Sequence, residues 1–145
     1  MKEKLKNLID KKNYDEAVEI AKYNPDRPLC KWYVDILNKS WDQLSNYDLI
    51  RCIRQEIFLK NVVTEIIERM LENKTPFYAE VDSIELMEKL SSVDKHILLE
   101  HKEQLIAIIN NILKNDLIDK TDIWMYDDEK KEYMNYIQKI EEKIS

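Results

Sequence analysis

The chain contains no glycine in 145 residues, and this absence constrains its fold more than any motif does. Glycine reaches positive φ without steric cost, so tight hairpin turns, phosphate-cradling loops and dinucleotide fingerprints depend on it. All three are excluded. The tight turns on which most active-site loops depend are missing as well. Helix ends must use Asn, Lys or Pro signals in place of a C′ glycine.

What remains is helix. Apolar residues recur at spacings of three and four, without the sustained alternation of strands. The expectation is an all-α fold, a single-domain compact bundle of six to eight short helices spanning residues 1–145. A domain near this length hides about 68–70% of its unfolded surface. With 44% apolar and 36% charged residues, the composition is far from that of a disordered chain.

The first helix is expected at Leu5, Leu8 and Ile9, ending at Asn13. "NYDEAVEIAKYNP" gives a second, with Ala17, Ile20 and Ala21 inward and a stop at Asn24-Pro25. Pro28 suits the first turn of a third, whose stripe is Leu29, Trp32, Tyr33, Ile36 and Leu37. "SNYD" at 45–48 reads as a capping box with Ser45 as N-cap, opening a fourth helix. The fifth covers 61–73, with Val62, Val63, Ile66, Ile67, Met70 and Leu71 inward. Asp82 or Ser83 caps the next, and Ser91 or Ser92 with Asp94 opens one long segment through Asn115, in which Asn110 and Asn111 are anomalous. Residues 116–128 read as a turn, a short helix capped at Thr121 and a second turn. The closing helix, about 127–144, presents Tyr133, Tyr136, Ile137, Ile140 and Ile144.

Candidate chemistry is sparse. His96 and His101 are five apart, about 140° around a helix, so they miss the four-residue spacing of a zinc-binding HExxH pair. Glu100 is the expected i, i+4 partner of His96. Cys30 and Cys52 read as buried, reduced thiols without metal-ligand spacing. No serine lies in a nucleophile elbow. Glu65, Glu68 and Glu72, like Glu85 and Glu88, have the spacing of a solvated helix face. No catalytic residue, metal or cofactor is expected, and the chain is read as a non-enzyme.

"DLIRCIRQEIF" at 48–58 places polar groups inside an aliphatic run. Leu49, Ile50, Ile53 and Ile57 line one side of that helix, bordered by Cys52, while Arg51, Arg54 and Gln55 lie on another. Arginine can hold two carboxylates or carbonyls at once, so Arg51, Arg54 and Gln55 with Asp48 read as a structural clamp rather than a ligand site.

The net charge of −6 is unevenly placed, with −3 in residues 75–115 and −4 in residues 116–145. A negative field disfavours nucleic acid and membrane surfaces and steers a basic protein partner. "MKEKLKNLID" lacks the apolar core of a signal peptide and no run approaches a membrane span, so the expected location is the cytoplasm.

"KKNYDEAVEIAKYNPD" resembles the second helix of a tetratricopeptide repeat, but no second copy follows and a helical hairpin is the better reading. A broader resemblance covers residues 41–94. A capped turn with Leu44 and Asp48 leads into Arg51, Arg54 and Gln55. The aliphatic helix Val62 to Leu71 follows, then Asn73 with Pro76, then Glu85-Leu86 before Leu90. This segment is similar to the centre of helical immunity proteins from bacterial contact-dependent growth inhibition systems, apart from the glycines they carry around the acidic turn. The resemblance implies a cytosolic antidote that binds and blocks the C-terminal toxin domain of a cognate effector. Such toxins are often nucleases with basic surfaces.

Two patches are candidate toxin contacts. In "DLIDKTDIWMYDDEKKEYM", Asp116, Asp119, Asp122, Asp127, Asp128 and Glu129 surround Trp124 and Tyr126, with Tyr133 beyond. Aromatic anchors in a polar rim are the usual form of a binding hot spot; the competing reading is that Trp124 and Tyr126 pin the last helix to the core. The second patch is Tyr78, Glu80, Asp82, Glu85 and Glu88. The expected partner is a basic nuclease domain bound by a monomer in a 1:1 complex. The alternatives are a helical scaffold or regulator with no toxin partner, and a small enzyme whose site is assembled from distant residues.

Overall fold

A computed structural model describes residues 3–72, 83–114 and 127–145. Among them are eight α-helices: α1 (Lys11–Tyr23), α2 (Pro28–Leu37), α3 (Asn46–Arg54), α4 (Leu59–Glu72), α5 (Ser83–Ser92), α6 (Lys95–Leu99), α7 (Lys102–Lys114) and α8 (Asp127–Ile144). Two short 3-10 helices, Leu5–Leu8 and Trp41–Gln43, precede α1 and α3. The only β pairing in these residues is one isolated bridge between Lys4 and Ser40. The chain is all-α, as its periodicity requires.

The chain divides into two compact units, Met1–Asp48 and Leu49–Ser145. In the first, α1 and α2 form a hairpin. The Tyr14 hydroxyl donates to Asn38 Oδ1 at 3.1 Å, and Asn38 Nδ2 donates back to Val34 O. The turn between the helices is the expected one, since Asn24 ends α1 with its side chain on Ile20 O, and Pro28 starts α2. Leu5 N donates to Lys39 O at 2.9 Å, and Leu5, Ile36 and Leu37 are all buried.

Three expectations fail in this unit. Asn13 lies inside α1 rather than ending a helix, because Asp10 adopts extended dihedrals and restarts the chain as a new helix. Ile20 is 53% exposed and no residue of α1 is buried, so the helix is a covering element rather than a core one. Leu8 and Leu29 are also exposed. A spacing of three and four finds the helix but not how deeply its apolar side is covered.

The capping box at α3 forms as expected. Ser45 N donates to Asp48 Oδ2 and Asp48 N to Ser45 Oγ, both at 3.0 Å, so two orphan donors of the first turn are satisfied reciprocally.

In the second unit the buried residues are Leu49, Ile50, Cys52 and Ile53 of α3, with Val62, Val63, Ile66, Ile67 and Met70 of α4. Leu71 is exposed. Leu105, Ile108, Ile109 and Ile112 line one face of α7, which packs on α4. Helix α8 carries Tyr133, Ile137, Ile140 and Ile144, spaced 4, 3 and 4, all buried, and packs on α5, α6 and α7. Burying a large apolar side chain contributes roughly 1.5–3 kcal/mol, so this one stripe is a main anchor of the unit.

The long segment expected from Ser91 to Asn115 is instead two helices. Val93 interrupts it, the Asp94 side chain caps α6 by accepting from His96 N at 2.7 Å, and a turn at Glu100-His101 separates α6 from α7. Asn110 and Asn111 face away from the buried side of α7, which resolves their anomaly.

The end of α3 shows how the chain manages without glycine. Ile57 N donates to Cys52 O and Glu56 N to Ile53 O, the paired bonds of a Schellman motif, with Glu56 at φ 56° in the position glycine usually takes. Phe58 is also left-handed, at φ 50°. The helix stop is therefore held by its backbone bonds against side-chain strain, a device outside the Asn, Lys and Pro signals expected.

Candidate functional site

Helices α5 and α8 bring described members of both acidic segments together. Two interactions set their alignment. Lys143 Nζ donates to Ser91 O and to Val93 O, which caps the C-terminal end of α5 with a cation. Further back, Tyr136 feels Glu88: burial first, then the charges of Glu88 and Glu132, raise its phenol above the ordinary tyrosine range. Glu88 thus lies by Tyr136, and the residues just beyond Glu88 lie by Lys143. Glu88 and Ser91 thus follow the order of Tyr136 and Lys143, so the two helices run in the same direction.

Glu85 lies in the first turn of α5, and Asp128 and Glu129 lie in the first turn of α8. Asp128 is exposed, while Glu85, Glu88 and Glu129 are part-exposed. Acids in a helix's first turn are stabilised by the macrodipole, so these carboxylates are held at little cost. Glu132 and Tyr136 extend the same surface along α8, and Lys139 sits over the Tyr136 ring at 5.7 Å. Neither Glu132 nor Tyr136 was among the contact residues expected from sequence. Glu132 lies four residues after Asp128, a spacing that could have found it.

The clamp residues fall into two settings. Asp48 accepts from Trp32 Nε1 at 2.9 Å as well as from Ser45 N. Burial pushes its carboxyl up, but the bonds from Trp32 and Ser45 and the charge of Lys39 outweigh that and hold it below the usual carboxylate range. Arg54 pairs with Glu85 at 2.9 Å, both side chains a little under half exposed. A residue expected in the clamp thus neutralises one expected in the contact patch. Arg51 is part-buried and Gln55 is exposed.

Several expected contact residues are located differently or not at all. Tyr133 is fully buried and belongs to the packing stripe of α8, because positions 133, 137 and 140 share one helix side; it is not available as a surface contact. Asp127 is the first residue of α8. Asp116, Asp119, Asp122, Trp124 and Tyr126, like Tyr78, Glu80 and Asp82, lie outside the described residues, as does the turn and short helix expected over most of 116–128.

Glu65 departs most from expectation. It is 6% exposed rather than solvated, and it accepts from Arg69 Nε at 3.3 Å. Glu100 pairs with Lys60 at 3.6 Å rather than serving His96, which is exposed. His101 sits between Thr64 Oγ1 and Gln104 Oε1, each at 3.3 Å. Cys52 is buried and Cys30 part-buried, and neither forms a disulfide. Among the described residues no three His, Cys, Asp or Glu side chains converge to hold a metal, and no helix is long and apolar enough to cross a membrane. This surface can present carboxylates and an aromatic ring to a protein partner.

A protein-family model described as CDI immunity proteins matches residues 13–108 of the chain. The matched span includes the 41–94 segment and α5, and stops short of α8. Neither the curated proteins nor the solved structures contain a match.

Proposed function

Because the chain belongs to the CDI immunity proteins, we propose that it neutralises its cognate toxin, a basic nuclease domain, by stoichiometric binding that covers the substrate groove. Members of the family counter the toxins of contact-dependent growth inhibition. The finer reading is supported chiefly by the packing of α5 on α8, with part-exposed Glu88 on one helix and Glu132 and Tyr136 reaching the surface of the other. Carboxylates grouped around an aromatic ring complement a toxin surface that binds phosphate, where they would take the place of the phosphates.

In this reading Glu85, Glu88, Asp128 and Glu129 belong to the contact surface. So do Asp116, Asp119, Asp122, Asp127, Trp124 and Tyr126, together with Tyr78, Glu80 and Asp82. The complex holds one immunity chain per toxin, acts in the cytoplasm, and needs no cofactor and no turnover. The net charge of −6 accelerates encounter with a basic partner.

The test is co-expression with the polypeptide encoded immediately upstream. Rescue from its toxicity together with co-purification is expected; toxicity without rescue would overturn the reading and favour a helical scaffold of another kind. Within a complex, reversing Asp122, Asp127 and Asp128 to lysine should slow association by about tenfold or more at low salt and flatten its salt dependence. Unchanged association at low salt would remove that patch from the interface.

A further inference from the structure

Residues Gln104–Leu113 form the longest uncharged stretch in a chain that is 36% charged, and they lie within α7. Leu105, Ile108, Ile109 and Ile112 turn inward. The opposite side is solvent-facing: Ile106 is 40% exposed, Leu113 39%, and Ala107 and Asn110 are exposed. At 100° per residue, Glu103, Ile106, Ala107, Asn110, Leu113 and Lys114 share one face of about 120°. Glu103 stands at one end of that face and Lys114 at the other, both exposed.

A protein with a net charge of −6 repels its own copies, so two chains can approach only where like charges do not meet. This face is suited to that approach. A two-fold interface sets each surface against itself in reverse. When two α7 helices cross antiparallel about the midpoint of residues 103–114, residue numbers of opposing positions sum to a constant. Glu103 then faces Lys114 of the other copy, and this happens twice. Ala107 faces Asn110, and the small alanine allows close approach, while Ile106 and Leu113 flank the axis. A parallel pairing would instead set Glu103 on Glu103 and Lys114 on Lys114.

We propose that this face of α7 is a self-association surface, through which two copies of the chain pair antiparallel with reciprocal Glu103–Lys114 contacts. A basic toxin is a poor occupant, since the face offers it one carboxylate beside one ammonium. The surface is small. A 13-residue helix is about 20 Å long, well short of the roughly 800 Å² per partner of a standard interface, so the dimer is weak and concentration-dependent. It leaves the toxin-contact acids of α5 and α8 unused, and one toxin per chain becomes two toxins per dimer.

Sedimentation of the full chain from micromolar to millimolar concentration tests this directly. The wild type should shift from monomer toward dimer. E103K and K114E should each weaken dimerisation by about tenfold or more, because both reciprocal contacts become repulsive. E103K/K114E, which has the wild-type net charge, should restore it, and an equimolar mixture of the two single variants should associate more than either alone. Far-UV circular dichroism would verify that each variant is folded. A wild type that stays monomeric throughout overturns the proposal, and failure of the double exchange to restore association overturns the antiparallel pairing. Loss of toxin binding in the single variants with self-association unchanged would assign the face to the toxin instead.

Discussion

Removing Arg69 should destabilise the protein far more than removing both Arg69 and Glu65. Glu65 lies on the buried side of α4 with its side chain 7% exposed, and it pairs with the Arg69 guanidinium one turn on, which is itself 21% exposed. An exposed i, i+4 pair contributes about 0.3–0.5 kcal/mol. A fully buried pair costs about 3–5 kcal/mol when one partner is removed, because a desolvated charge is left uncompensated. The partial exposure of Arg69 places this pair between those limits, and about 2–3 kcal/mol is expected for Arg69→Ala. Glu65→Leu with Arg69→Ala removes the stranded carboxylate and replaces it with apolar volume, so the double variant should recover most of the loss. Urea unfolding at neutral pH measures both, and an unchanged m-value would show that stability rather than compactness has moved. A cost below about 0.5 kcal/mol for Arg69→Ala, or a double variant less stable than the single, would refute the burial argument.

Three further outcomes follow from the same geometry. The Asp48 carboxyl is held below its unfolded value, so its contribution is complete above about pH 4 and is lost as pH falls through the folded pKa. Asp48→Asn should therefore lower stability by about 1 kcal/mol at neutral pH and make the acid limb of a stability–pH curve shallower; identical acid limbs would contradict this. Glu56→Gly should relieve the left-handed strain at the end of α3 and stabilise by about 0.5–1 kcal/mol after the added unfolded-state entropy is counted, read as a rise in thermal midpoint. Arg54→Ala should cost less than about 1 kcal/mol, since its pair with Glu85 is largely solvated, and should leave toxin affinity unchanged or raised by freeing Glu85. A large loss of affinity would return Arg54 to the contact surface.

Much of the local structure was legible in the sequence because its causes are local. Pro28 at a helix start, Ser45 with Asp48 as a capping box and the stop at Asn24 each depend on residues within one turn of each other. The stripe of Ile137, Ile140 and Ile144 likewise follows from helical spacing alone. The missing glycine foretold an all-α chain, but not that Glu56 would occupy the glycine position of a Schellman motif, because backbone bonds from Glu56 and Ile57 override the side chain's preference there.

The candidate site was legible only as charge. The sequence by itself determined most helix positions, the capping box at Ser45, the family pattern and an acidity concentrated in residues 75–145. Only the tertiary structure decided which acids are available: Glu65 buried against Arg69, Glu85 paired with Arg54, and Glu88 set by Tyr136. The physical reason is that periodicity reports which side chains share a face of one helix, whereas solvation and pairing depend on which other helix covers that face. Arg54 and Glu85 are 31 residues apart, and no local spacing joins them.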